Sequence, residues 1–210
     1  MRLYLFCLLA GALPAAGETR WAPSAPITLY TSFQQEPPAA VMEAIQEEVE
    51  AIMAPIGLRF EWRNLAGVRG QEVSAELAVI TFQGRCDLAG MTAQAKFAGA
   101  LGWTHLSDGE ILPFTDVSCD RVRSFVQRQL VVVHPDERAA LYGRALGRVL
   151  AHELYHIFAN TTRHASWGVA KECYTVQDLL NDQFQFQEKE SRLLRTNRPQ
   201  VAVDAALATH

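Results

Sequence analysis

Residues 152–171 read HELYHIFANTTRHASWGVAK, and the first five, His152-Glu153-Leu154-Tyr155-His156, decide how the rest of the chain is read. On an α-helix, residues four apart lie on one face about one turn apart, so two imidazoles at this spacing can grip one tetrahedral zinc ion from the same side. Glu153 then projects beside the metal, where a carboxylate can take the proton of a water that the metal has made acidic. Leu141, Ala145, Val149, His152 and His156 fall at helical spacing, so both histidines continue the stripe that faces the interior. Buried imidazoles side by side are costly without a shared partner.

A catalytic zinc site takes three protein ligands and keeps one position for water, whereas a structural site closes with four. The third donor has to come from further on. His164 lies eight residues after His156, past Asn160-Thr161-Thr162, residues that favour ending a helix and turning the chain back. Glu172, sixteen residues after His156, is the alternative, a downstream carboxylate ligand. Imidazole is a usual zinc donor, which favours His164. His105 and His134 carry no comparable spacing and read as structural.

Working upstream, the helical pattern that carries the motif begins at about Asp136, a plausible cap, and runs to Ala159. Ile27 to Phe33 reads as a strand, and Pro37-Pro38 open a helix at about Ala39 to Met53 whose Val41, Ile45, Val49 and Ile52 recur at three- and four-residue spacing. Glu43, Glu47, Glu48 and Glu50 fall mostly on its other faces and read as solvated. Leu58 to Arg63 alternates apolar and charged residues, the period of a half-buried strand, and Leu77 to Phe82 is a further strand. Leu101 to Leu106 and Ile111 to Val117 are read as hairpin strands around Ser107-Asp108-Gly109, and a helix begins near Val122. Short helices are expected at Val176 to Asn181 and Gln187 to Arg195. The order of strand, helix, several strands, then helices predicts one α+β domain over residues 18–195, followed by a frayed tail at 196–210.

The 210 residues, 49% hydrophobic and 20% charged, suffice for one well-buried domain and exclude a disordered chain. Nineteen basic against 23 acidic residues, with no basic block, leave no broad positive field, so nucleic acid is not an expected partner. Residues 1–17 read as a secretory signal peptide: Arg2, an apolar run from Leu3 to Leu13, then the small residues Ala15, Ala16 and Gly17. That run is about half of the roughly 20 residues needed to cross a bilayer, and no longer one follows. The expected location is therefore secreted or periplasmic, with no membrane span in the mature chain. Three cysteines remain past Cys7. In an oxidising compartment this suggests one bridge and one free thiol. Cys86 with Cys119 is the expected pair, each following a strand-like run, because Cys173 lies just past the candidate active site.

The segment from His152 to Lys171 resembles the signature of secreted bacterial zinc metallopeptidases of metzincin-like type, in which H-E-x-x-H is followed by a turn, a third histidine and a Gly-Ile-Met-like segment. The resemblance implies a single zincin-like domain, a small mixed sheet beside the active-site helix, with His152, His156 and His164 as zinc ligands and Glu153 as general base. Gly168-Val169-Ala170 match the final segment, with Ala170 where the family carries methionine. Ala159 stands where the family's turn glycine would be, and Asn160, one place on, tolerates the same left-handed backbone. The implied activity is hydrolysis of peptide bonds in a peptide or protein substrate, with Tyr174 a possible donor to the oxyanion and an edge strand between Leu101 and Val117 a possible seat for an extended peptide. The same metal and water would serve an amidase acting on cell-wall or small peptides. A catalytically weak zinc-binding protein on the same fold is the remaining alternative, although zinc binding alone does not require Glu153.

Overall fold

Strand β1 (Ile27–Gln35) is the second strand of a five-stranded sheet ordered β2-β1-β3-β5-β4. A computed structural model describes residues 25–89, 91 and 99–197; the signal-like segment 1–17 and all but the first two residues of the 196–210 tail lie outside them. Helix α1 (Ala39–Met53) leads from β1 to β2 (Phe60–Asn64), which pairs parallel to β1. β3 (Leu77–Arg85) pairs parallel on β1's other side, and β5 (Glu110–Ser118) parallel to β3. β4 (Gly102–Ser107) runs antiparallel to β5 and forms the edge. The sheet is mixed, as expected, but mostly parallel, and the sequence reading did not separate these pairings from antiparallel ones.

The β4–β5 hairpin closes where the sequence placed it. Asp108 and Gly109 have φ of 52° and 85° between the paired Ser107 and Glu110. Two left-handed residues in a row are what a two-residue hairpin turn of matching twist requires. On β3, Ala78, Ile80 and Phe82 are fully buried, alternating with partly exposed neighbours. They join Val41, Ile45 and Val49 of α1 in one core.

Helix α2 (Cys119–Leu130) follows β5, and α3 (Pro135–Ala159) follows it. The start of α3 differs from the expectation. His134 is its N-cap and Pro135 its first residue, without a side-chain cap, while Asp136 sits in the first turn with Glu137. Proline's fixed φ suits that first position, and both carboxylates favour the positive end of the helix dipole. Gly143 and Gly147 face α1 so closely that a Cβ at Gly143 would come within 2.6 Å of the Val41 carbonyl oxygen, and one at Gly147 within 3.0 Å of that of Ile45. Two glycines one turn apart therefore let the α1 and α3 backbones meet.

Glu48 corrects a second expectation. It is not solvated: its carboxylate takes a 2.6 Å hydrogen bond from Nε of Arg148, whose side chain is only 2% exposed. Arg148 also donates to the Asp178 carbonyl and lies over the ring of Phe184. Short helices α4 (Val176–Leu180) and α5 (Glu188–Thr196) complete the described chain. Cys86 and Cys119 form the expected disulfide, tying the end of β3 to the start of α2, and Cys173 is free and exposed. Closing that loop contributes about 3–4 kcal/mol in the chain-entropy picture. Among the described residues no helix is long and apolar enough to cross a membrane.

Candidate metal centre

The last two turns of α3 carry His152, Glu153 and His156, all buried. Nδ1 of His152 lies 2.8 Å from the Val169 carbonyl oxygen, and Nδ1 of His156 lies 2.7 Å from that of Thr161. A carbonyl oxygen only accepts, so in both rings Nδ1 bears the proton and Nε2 presents a lone pair. The two Nε2 atoms face each other 3.0 Å apart. Without a cation between them, that contact sets lone pair against lone pair.

His164 completes the group. The helix ends at Asn160, whose φ of 45° is the left-handed conformation foreseen for it, and the Thr161 amide bonds back to the His156 carbonyl. The chain then reverses, and the Ala165 amide bonds the Ala170 carbonyl at 2.7 Å. Gly168, at φ +76°, passes so near residue 185 that a Cβ there would meet its carbonyl oxygen at 2.4 Å. That contact, with the 3.2 Å bond from the Val169 amide to the same oxygen, fixes the carbonyl that holds His152. The His164 ring lies 5.2 Å from that of His152 and 4.8 Å from that of His156. One nitrogen from each of the three histidines falls within 4.8 Å of the others. Tetrahedral zinc with bonds of about 2.0–2.1 Å sets its nitrogens about 3.3–3.4 Å apart. The donor set therefore fits such an ion once the two buried rings part slightly and the more exposed third ring moves in.

Burial pushes His152 down to about 3, helped by the neighbouring His156 and His164 and opposed by the Val169 carbonyl. Burial also lowers His156. Both imidazoles are thus kept neutral, the form that binds metal. Burial raises Glu153 to about 7, with the Thr104 hydroxyl pulling the other way.

In front of the histidines opens a cavity of about 470 Å³, walled by Leu101, Leu106, Ile111, Phe125 and Val149, with Glu153 and the three histidines on its lining. β4 crosses beside it. Oγ1 of Thr104 donates to Oε2 of Glu153 at 2.8 Å. Oε1 of the same carboxylate accepts no hydrogen bond from the described residues.

All four expected site residues therefore meet at one place. Glu172, the alternative ligand, lines the same cavity but stands outside the group of converging donors. His105 pairs with Asp116, and His134 lies 3.3 Å from Asp136 at the start of α3; neither belongs to the site. Ala170 is buried in the core. Tyr174 lines the cavity, donates its hydroxyl proton to the Val169 carbonyl and sets its oxygen near Nδ1 of His152. Sequence reasoning missed Gly102 and Thr104. The alternation of β4 puts both on one face, but only the register that lays β4 beside α3 gives that face a meaning.

No family model and no curated protein matches the chain. Among solved structures, the crystal structure of archaemetzincin from Methanopyrus kandleri aligns over 82% of this chain and 94% of that one, at 15% identity and a TM-score of 0.47.

Proposed function

We propose that this chain is an extracytoplasmic zinc-dependent metallopeptidase, with His152, His156 and His164 holding the metal and Glu153 acting as general base. The observation that carries this reading is the pair of buried Nε2 lone pairs 3.0 Å apart, their rings fixed from behind by carbonyls and faced by a third imidazole. A cation between the rings is what that donor arrangement suits. Three nitrogen donors beside an open cavity, with a carboxylate next to them, match a catalytic site better than a closed structural one. Zinc, when bound there, supplies Lewis acidity toward the scissile carbonyl and the attacking water.

The remaining steps belong to the chain. The Val169 and Thr161 carbonyls hold both buried rings in the tautomer that donates through Nε2. Glu153 takes the water's proton at Oε1, the oxygen that Thr104 leaves free, and passes it to the leaving amine nitrogen. An extended peptide adds to β4, the edge strand, which lies beside the cavity. The leader-like first 17 residues and the Cys86–Cys119 bridge support action in an oxidising compartment.

The test is zinc content on protein purified without added metal, with casein or gelatin digestion alongside, for wild type, His164→Ala and Glu153→Gln. The expected results are about one zinc per wild-type chain, loss of zinc and digestion in His164→Ala, and loss of digestion with zinc retained in Glu153→Gln. A wild-type protein without zinc, or a Glu153→Gln variant that still digests, would overturn the reading.

A further inference from the structure

Gly102 and Thr104 occupy alternate positions of β4, so they face the same way, and both meet the carboxylate of Glu153. Thr104 reaches it with a hydroxyl. Its Oγ1 donates to Oε2 at 2.8 Å and also approaches the Glu153 backbone carbonyl at 3.2 Å, binding strand to helix at one residue. Gly102 meets it with empty space. A Cβ there would lie 3.0 Å from Oε1 of Glu153, 2.9 Å from Cγ1 of Val149 and 3.1 Å from the Asp116 carbonyl oxygen. Neither the strand backbone nor the helix backbone can yield without disturbing the sheet, so the two side chains, Val149 and the Glu153 carboxylate, are the parts that would move.

We propose that Gly102 and Thr104 are the positioning residues of Glu153: the hydroxyl fixes Oε2, and the missing side chain leaves Oε1 its place toward the cavity. Glu153 has rotatable bonds along its side chain, and a base is effective only when its accepting oxygen is held within hydrogen-bond reach of the proton it takes. The strand that borders the cavity thereby also sets the orientation of the group that would act there. The inference rests on the general-base reading of Glu153, and the experiment separates the two.

Thr104→Val keeps the shape and removes the donor; Thr104→Ser restores the donor with less bulk. With zinc content equal to wild type, Thr104→Val is expected to lower kcat about 10–100-fold, up to what a misplacement of about 1 Å costs a catalytic group, with KM within about twofold because β4's backbone is untouched. Thr104→Ser should recover most of the loss. Gly102→Ala should show the same loss of kcat through the other oxygen, and it serves where Thr104→Val fails to fold. Thr104→Val turning over like wild type, or Thr104→Ser as poor as Thr104→Val, would overturn the proposal. A second measurement does not need turnover: a double-mutant cycle on thermal unfolding of metal-free protein with Thr104→Val, Glu153→Ala and both. Non-additive shifts are expected for two groups in direct contact, and additive ones would overturn the proposal. A zinc-loaded wild type that cleaves nothing would refute the peptidase reading instead, and the cycle would still decide whether β4 holds the carboxylate.

Discussion

The hydroxyl of Tyr174 stands 2.9 Å from Nδ1 of His152, on the side of the ring away from His156, and donates to the same Val169 carbonyl that His152 uses. Ring, hydroxyl and carbonyl form a closed triangle behind one of the three converging imidazoles. This placement sets the hydroxyl behind the imidazole, where it can help hold the ring. Burial, and then the nearby Glu153 charge, raise its phenol well above the usual range, so it remains a neutral donor.

Tyr174→Phe should therefore weaken zinc affinity by about tenfold, the lower end of outer-shell effects, because Val169 still holds the ring. Turnover at saturating zinc should stay within about threefold of wild type, since a group that acts only through metal affinity drops out once the metal is loaded. Zinc competition against a chelator and kcat at saturating metal read the two effects separately. A large fall in kcat with unchanged zinc affinity would return Tyr174 to the oxyanion role.

The site was legible in the sequence wherever the chemistry is periodic or local. His152, Glu153 and His156 share a turn of α3, and Asn160 marks its end by tolerating φ of 45°. His164 could be named because the turn brings it back within a few residues. Thr104 and Gly102 could not, since they reach Glu153 across 49 and 51 positions of sequence and depend on β4 being the edge strand. Glu48 looked solvated because a helical wheel cannot show that Arg148, 100 residues away, is buried and needs a counter-charge.

Gly143 offers a test in which helix propensity and packing oppose each other. Alanine inside a helix is favoured over glycine by about 1 kcal/mol. Here the added Cβ would sit 2.5 Å from Cβ of Ala44 and 2.6 Å from the Val41 carbonyl oxygen, so α1 would have to move. Overpacking of this kind costs about 1–3 kcal/mol, more where backbone must shift. Gly143→Ala should lower stability by about 1–2 kcal/mol in urea unfolding, and a stabilised variant would show that α1 gives way freely.

The Arg148–Glu48 pair should behave asymmetrically. With 2% of the Arg148 side chain exposed, removing Glu48 leaves a buried guanidinium with a carbonyl and an aromatic face as partners. Glu48→Ala is expected to cost about 3 kcal/mol, near the lower end for breaking a buried pair because Glu48 itself retains some exposure. Arg148→Met combined with Glu48→Leu should cost less than Glu48→Ala alone, since no charge is then stranded. Chemical unfolding of the variants checks the order, and a double replacement worse than the single would refute it.

Acidification of the metal-free protein sets two histidines against one carboxyl. His152 falls to about 3 on folding and His156 is lowered too, so below about pH 6.5 the unfolded chain binds more protons at these rings and stability drops as pH falls. Glu153, raised to about 7, has the opposite sign: between about pH 7 and 4.5 the folded chain binds its proton more tightly, and stability rises as pH falls. Glu153→Gln removes only the second contribution. In chelator, thermal unfolding of wild type should therefore gain on Glu153→Gln as pH drops from 7 to 4.5, by roughly 3 kcal/mol in total at about 1.4 kcal/mol per pH unit, and run parallel to it below that. Curves that stay parallel from pH 7.5 downward would mean that burial does not raise Glu153, and that the cavity admits enough water to keep the carboxylate charged without zinc.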